Sequence, residues 1–552
     1  MIMSGPAAYK KPGNMLKQCV ILAVLAIAVY ANSLPNSFSF DDPPFILDNQ
    51  AVHGFSIQHL KAVFTSIPNG VEYLPVKDLT YMLDYSLWGL NPFGYHLSNL
   101  IFFVLALVAL YIFFEQVTAA EDAGVSRNPF TAAFLGAVIY AVHPVHTESV
   151  ACASQRKDIV SGFLYFTALI LYMKSMRAGE KKEELYLSSL ILFILAALSK
   201  MTTIIMPFSV LLLELYFGPT PTPPKRGLFI VKRLLRTAPF FALAALLSRL
   251  GVAVAKGTGV YSRMQLSLAV RVSGAFKAVW VYLKILFLPY SLKVWHKFDP
   301  PDGLFTPAFA VYVAATAILV CLIVLFRKRY KVVSFSAAWM LTSMIPVVGL
   351  FPTTMVITER YMFLPSAGFC LALGWIFSRA IGRLNGKAAR AAAMGACLLI
   401  AICSALAIER NFEWKNNMTL FEADLKHDPD PLNTYLNLGQ AYFAKGDYKK
   451  GLEYLRKEKE VNRYTFDYEL YLAYYQYKMG RPDSALSSLE QLRKWAQMDV
   501  MDADYLTGLI YEQKGETQQA EENYRKALAA GASRGLFSVA DARTALERME
   551  NK

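Results

Sequence analysis

The chain has 552 residues, 55% of them hydrophobic and only 18% charged, and its mean hydropathy is +0.32. This excludes an ordinary soluble protein and points to a chain that crosses the bilayer several times. The formal net charge of +14 suggests nucleic acid, but the basic residues concentrate in short loops between apolar runs, where the positive-inside rule expects them. Cys19, Cys321, Cys370, Cys397 and Cys403 lie in apolar runs and Cys152 in a loop, with no pairing or metal-like spacing, which argues against a disulfide framework or a zinc site.

Apolar runs long enough to span, or nearly so, fall at 16–34, 95–115, 130–143, 158–173, 185–217, 234–254, 271–288, 305–326, 334–351, 361–381 and 388–408. The fifth is a pair broken at Ser199-Lys200-Met201. Lys10, Lys11 and Lys17 around the start of the first run predict an uncleaved first helix that starts in the cytoplasm. Four basic loops mark the same side: Lys174 to Lys182, Lys225 to Arg236, Arg327 to Lys331 and Arg379 to Arg390. The opposite side then holds the loop around Asp41, the loop from His143 to Asp158, Lys200 and the segment from Thr358 to Pro365. Strict alternation predicts twelve crossings, whereas an internal N-terminus and an external C-terminus need an odd number. About eleven spans are therefore expected, with the count failing at 234–288.

Directly after the first run comes Asn36-Ser-Phe-Ser-Phe-Asp-Asp-Pro-Pro-Phe-Ile-Leu-Asp-Asn49. The adjacent carboxylates Asp41 and Asp42 stand in an aromatic and proline setting close to a membrane helix, a costly place for charge unless it is used. They are the candidate catalytic residues; the competing reading is a solvated turn, which Asp and Pro both favour. The loop that carries them, 35–94, is too long for a mere connector. Within it Ile57 to Phe64 and Leu79 to Leu90 carry apolar residues at helical spacing, which predicts two helices lying in the interface beside the carboxylates. A second polar loop holds His143, His146 and Glu148. The proline between the histidines and the lack of a third imidazole or thiol at ligand spacing disfavour a metal there, so no metal ligands are assigned, and a divalent metal stays the weaker alternative. These three residues and Tyr361 are candidates for binding the sugar or the acceptor. Arg156, Lys157, Lys200 and Arg360 supply cations on the same face and are the candidate donor phosphate-binding residues, since guanidinium forks bind phosphate bidentately and lysine acts as a point charge.

From about Glu409 the apolar runs stop and a charged, Tyr-rich sequence begins. Gly446, Gly480 and Gly515 are 34 and then 35 residues apart. The same offset aligns Gly439, Ala473 and Gly508, then Gly451, Ala485 and Ala520, then Leu455, Leu489 and Tyr524. Small residues where paired helices touch and a large one where the next pair packs are the tetratricopeptide signature. About three repeats plus a partial unit from Met418 to Pro429 are expected, stacked as an α-solenoid with a concave face for peptide.

Several strings resemble the transmembrane and tetratricopeptide-repeat-containing family of O-mannosyltransferases, within the GT-C superfamily of multi-spanning glycosyltransferases. They are Phe40-Asp41-Asp42; Leu83-Asp-Tyr-Ser-Leu-Trp-Gly-Leu-Asn-Pro-Phe-Gly-Tyr-His96; His143-Pro-Val-His-Thr-Glu148 with Arg156-Lys157-Asp158; Leu198-Ser199-Lys200; and Glu359-Arg360-Tyr361 with Leu364-Pro365-Ser366. Met201 departs from the acidic residue expected after Ser-Lys. The resemblance implies an all-α fold with a GT-C-like transmembrane domain over 1–408 and a repeat domain over 409–552. It also implies an enzyme that moves mannose or another hexose from a lipid-linked donor, a polyprenyl-phosphate sugar, to a Ser or Thr of an exported protein. The site would face away from the cytoplasm, in a bacterial inner membrane or an endoplasmic reticulum, with the repeats holding acceptor or partner protein. A non-catalytic membrane scaffold built on the repeats is the alternative; a transporter should show two corresponding halves, and none is visible. If the repeats share the non-cytoplasmic face of the Asp41 loop, a reporter active only outside the cytoplasm will work when fused after Lys552. A reporter active only inside would place the repeats away from the proposed site.

Overall fold

The computed structural model describes residues 12–550 except 68–71, 123–129, 178, 219–225, 258–266, 295, 302, 352–355, 428–432, 462–466, 497–499, 531–535 and 538. Lys10, Lys11, Lys225 and Pro429 lie outside the described residues. Every secondary element described is helical. The chain divides into two compact units, Met1–Asn416 and Asn417–Lys552, eight residues beyond the end of the last apolar run. The physical reason lies in the final helix of the first unit. It continues through the charged residues Glu409 to Glu413, and Asn411, fully buried, bonds to Val29 O and Asn32 Oδ1 at 2.8 Å each.

In the first unit the helices are α1 (Pro12–Tyr30), α2 (Ile57–Thr65), α3 (Pro75–Trp88), α4 (Pro92–Asp122), α5 (Ala132–Val142), α6 (Thr147–Ala151), α7 (Arg156–Ser175), α8 (Lys182–Ala197), α9 (Met206–Phe217), α10 (Arg226–Gly257), α11 (Leu268–Phe287), α12 (Pro307–Phe326), α13 (Lys331–Met344), α14 (Pro365–Arg383) and α15 (Gly386–Glu413). Every predicted apolar run is one of these helices, and the broken run is α8 and α9 with Lys200 in the gap. Among the described residues, five stretches are long and apolar enough to cross a membrane: Asn14–Ser33, Pro92–Ala119, Val231–Val254, Pro307–Phe326 and Gly386–Glu413. The protein is therefore a multi-pass integral membrane protein. α12 buries none of its residues, as expected of an apolar helix at the edge of a bundle that turns most of its surface to lipid. α5 buries all of its residues but is only about 16 Å long at 1.5 Å per residue, so it forms the centre of the bundle rather than a complete span. The two predicted interfacial helices are α2 and α3. With the segment around Phe45 they enclose a small core of Phe45, Ile46, Val52, Val63, Tyr81, Met82 and Tyr95, while Ile57, Leu83 and Leu87 stay exposed.

In the second unit the helices are α16 (Asn417–His427), α17 (Thr434–Ala444), α18 (Tyr448–Val461), α19 (Asp467–Lys478), α20 (Pro482–Ala496), α21 (Met501–Gln513), α22 (Thr517–Ala530) and α23 (Val539–Glu550). Three hairpins, α17 with α18, α19 with α20 and α21 with α22, repeat one device. Gly446, Gly480 and Gly515 take φ of +86°, +68° and +79°, the left-handed cap that only glycine adopts without strain. The next amide closes each cap: Asp447, Arg481 and Glu516 donate to Tyr442, Gln476 and Tyr511 carbonyls at 3.0, 2.9 and 2.9 Å.

α5 and α14 cross at two glycines. A Cβ on Gly374 would stand 2.3 Å from the Gly136 nitrogen and 2.6 Å from the Ala132 carbonyl, which are backbone atoms that cannot turn aside. Gly374→Ala is expected to force the helices apart and cost about 1–3 kcal/mol, read as a lower thermal unfolding midpoint in nanodiscs. Gly179→Ala, which meets open space, will leave the midpoint unchanged.

Candidate active site

The loop after α1 is shaped by its first carboxylate pair. Phe40 holds a left-handed backbone, φ +54°, which is uncommon for a bulky residue and strained. Neighbouring contacts hold it there: Ser37 N donates to Lys415 O at 3.0 Å, and the Phe40 ring meets Trp414 edge-on at 6.1 Å. The turn sends Asp41 and Asp42 to different surroundings. Asp42 is fully buried; its Oδ2 accepts from Ser39 N at 2.9 Å, and its Oδ1 accepts from Ser154 N at 2.6 Å and Cys152 Sγ at 3.3 Å. Asp41 keeps 29% of its side chain exposed. Its Oδ2 accepts from Gln155 Nε2 at 2.8 Å and lies 3.9 Å from Arg360 Nη1. Of the pair, Asp42 ties the loop to the turn before α7, and Asp41 offers a reachable carboxylate.

Three of the four predicted cations surround this carboxylate's end of the unit, each with its own anion. Arg360, on a 3-10 turn at Glu359–Met362, pairs through Nη1 with Glu148 Oε1 at 2.5 Å, and its backbone N donates to Glu148 Oε2 at 3.0 Å. Thr358 Oγ1 donates to the same carboxylate. Glu148 is thus a buried brace for Arg360 rather than a lining group. Lys200 pairs with Asp158 and lies 5.4 Å from the Tyr361 ring centroid. Lys157, at the start of α7, binds Glu72 Oε2 and Oε1 at 2.8 and 3.1 Å. Asp158, Ser161, Lys200, Tyr361, Phe363 and Pro365 are among the residues lining a small cavity, with room for about one water molecule.

Burial raises the Asp41 carboxyl above its ordinary value even though Arg360 and Lys157 oppose the shift. Burial also raises Asp42 against the hydrogen bonds that favour its charged form. For Glu72 the balance reverses: burial acts upward, but Lys157, Lys77 and Arg360 together hold it down to about 2. Glu72 is consequently ionised at any working pH.

The structure does not bring Arg156, His143 and His146 to this site. Arg156 is fully buried and committed to Asp84 at 2.5 Å, Asn99 Oδ1 at 2.6 Å and Tyr95 O at 2.8 Å, so it staples α7 to α3 and α4. His143 caps a 3-10 turn by accepting from Val145 N at 3.2 Å, with Nε2 against Leu286 O at 3.0 Å. His146 lies among aromatic rings, 4.0 Å from the Tyr140 centroid and 5.5 Å from Phe363. Proximity in sequence to Lys157 and Glu148 misled because α6 and α7 start from a tight corner whose successive side chains point to different partners. Gln155, Asp158, Glu72 and Lys77 were not among the predicted site residues; Gln155 and Asp158 flank the Arg156-Lys157 pair, whereas nothing local marks Glu72. Among the described residues no three His, Cys, Asp or Glu side chains gather as a metal site.

Two tetratricopeptide repeat families match residues 432–463 and 470–534. Protein O-mannosyl-transferase F38B6.6 of Caenorhabditis elegans is 26% identical over 449 residues, covering 77% of this chain and 60% of that protein. Protein O-mannosyl-transferase TMTC3 of Mus musculus is 26% identical over 496 residues, covering 81% of this chain and 51% of that protein. The chain therefore spans between half and three fifths of the length of these relatives. Among solved structures, an archaeal oligosaccharyltransferase AglB from Archaeoglobus fulgidus aligns with a TM-score of 0.41 at 14% identity, over 72% of this chain and 56% of that one. The resemblance carried by the motifs is borne out: over about four fifths of its length this chain is similar to the transmembrane and tetratricopeptide-repeat-containing O-mannosyl-transferases.

Proposed function

We propose that the chain transfers a sugar, mannose or another hexose, from a polyprenyl phosphate to a Ser or Thr hydroxyl of a protein on the non-cytoplasmic face of its membrane. The repeats bind the acceptor or a partner protein. The observation that carries this reading is Asp41, an accessible carboxylate raised by burial and set between Gln155 and Arg360. The names of the relatives support the sugar class.

In this reading the residues share the work as follows. Asp41 Oδ2 accepts the proton of the incoming hydroxyl as that oxygen attacks the anomeric carbon. The bond from that carbon to the phosphate oxygen breaks, and the electron pair leaves with the polyprenyl phosphate. Gln155 and Arg360 fix the carboxylate, and the cations at Arg360, Lys200 and Lys157 stabilise the charge that develops on phosphate. A single displacement of this kind inverts the anomeric centre. Tyr361, beside Lys200 on the cavity wall, offers a ring and hydroxyl to the sugar.

Transfer from polyprenyl-phosphate mannose to a Ser/Thr peptide, measured on the purified chain in nanodiscs, tests the reading. Asp41→Asn will fold normally and lose at least ~10²-fold in rate. Asp42→Asn will instead lower the unfolding midpoint, because an amide offers one acceptor oxygen where Asp42 uses two; the loss is about 1–3 kcal/mol. Parental transfer by the Asp41/Asp42 double asparagine variant would remove the carboxylates from the mechanism.

The pH profile gives a second check. A general base works only when deprotonated, so activity is present above its folded-state pKa and lost as pH falls through it. Burial raises Asp41, so the acid limb of kcat/KM is expected above the ordinary aspartate value of 3.8. Arg360→Gln removes an opposing charge and will move that limb to still higher pH, while also weakening donor binding.

A further inference from the structure

The three ion pairs around Asp41 are not equivalent. Asp158 and Glu148, which hold Lys200 and Arg360, are 3% and 1% exposed, whereas Glu72, which holds Lys157, is 35% exposed. Glu72 stands on a short non-helical stretch before α3. Its carboxylate can therefore leave without opening the bundle. The other two cannot.

Beside this pair is a second lysine. Lys77, at the start of α3, is fully buried, and its Nζ lies 4.5 Å from the centroid of Phe45, the ring that Lys157 Nζ also approaches at 4.9 Å. Asp78 Oδ1 is 3.1 Å away, yet among the described residues no acceptor meets hydrogen-bond geometry with the Lys77 ammonium. Asp78 thus gives this buried ammonium one ion-pair partner without satisfying its hydrogen bonds, so a further anion would be well received there. Lysine accepts carboxylate and phosphate alike as a point charge.

The transfer reaction itself creates such an anion. A sugar polyprenyl phosphate is a phosphodiester with one negative charge; once its bond to the anomeric carbon breaks, the leaving group is a phosphate monoester whose second charge develops during the step. Cations that meet this second charge act on the transition state more than on the ground state. We propose that Lys77 and Lys157, over the Phe45 ring, form the subsite for the phosphate monoester of the lipid carrier, and that Glu72 is a resident counter-ion which the phosphate displaces. This rests on the reading of the donor as a polyprenyl phosphate. It does not depend on Asp41 being the base.

Equilibrium binding of a short-chain polyprenyl monophosphate and of its mannosyl phosphodiester, on the full chain in neutral-lipid nanodiscs without acceptor, tests the subsite. Glu72→Gln removes the competing carboxylate and is expected to tighten monophosphate binding about tenfold, with the thermal midpoint recorded alongside. Lys77→Met is expected to weaken the monophosphate about tenfold or more and the phosphodiester by distinctly less. Unchanged or weaker monophosphate binding by Glu72→Gln overturns the displacement, and equal losses for both ligands in Lys77→Met overturn the preference for the monoester. If Lys77→Met does not fold, Glu72→Gln alone decides. Competition by inorganic phosphate or phosphatidic acid as strong as by the polyprenyl phosphate overturns the assignment to the lipid carrier. A parental chain that binds neither polyprenyl ligand overturns the donor reading and this inference together; a parent that binds both while the two variants match it overturns this inference alone.

Discussion

The site depends on the buried carboxylate of Asp42. By accepting from Ser39 N on its own loop and from Ser154 N and Cys152 Sγ beyond α6, it joins two segments more than a hundred residues apart in sequence. Hydrogen bonds to an ionised acceptor are each worth about 1.5–3 kcal/mol when formed, and leaving such a group unserved costs more. That energy also maintains the left-handed turn at Phe40. The turn gives the adjacent carboxylate different partners, so Asp42 becomes the fastening while Asp41 stays partly exposed as the proposed base.

Around that fastening the unit obeys a consistent electrostatic rule. Each cation near Asp41 is matched by one acid: Arg360 by Glu148, Lys200 by Asp158, Lys157 by Glu72. In a low-dielectric setting an unmatched charge would be prohibitive, so the cations arrive with counter-ions and the site is held ready without a ligand. Arg360 is braced at both its guanidinium and its backbone, which fixes its direction toward Asp41 rather than merely neutralising it. A polar network of this kind needs rigid support. The fully buried α5 and its glycine crossing with α14 provide it on one side, and the small core under α2 and α3 provides it on the other.

The second unit is built on a different economy. Its helices are charged and amphipathic, its turns are closed by left-handed glycines, and small residues let each helix pair approach. Gly439 has room for no Cβ because Leu455 and the Gly451 carbonyl stand against it, and Gly508 meets Tyr524 and the Ala520 carbonyl in the same way. Repetition makes each hairpin bury what it cannot bury alone.

The amino-acid sequence by itself determined the helices, the membrane class, the repeats and the location of the acidic loop. Each of these rests on local signals: apolar runs of spanning length, small and large residues at a fixed offset, and two carboxylates in an apolar setting. Only the tertiary structure decided which partners each residue of the candidate site meets. Asp41 and Asp42 are identical in chemistry and adjacent in sequence, and what separates them is the φ of Phe40 and partners at Ser154, Gln155 and Arg360. Arg156 and Lys157 look like one basic pair, yet successive side chains of a helix face different neighbours, and Asp84 claims the first while Glu72 meets the second. Lys77 and Glu72 carried no local mark because their significance is a shared ring and a shared charge balance with Lys157, which exist only once α3 has folded against α7.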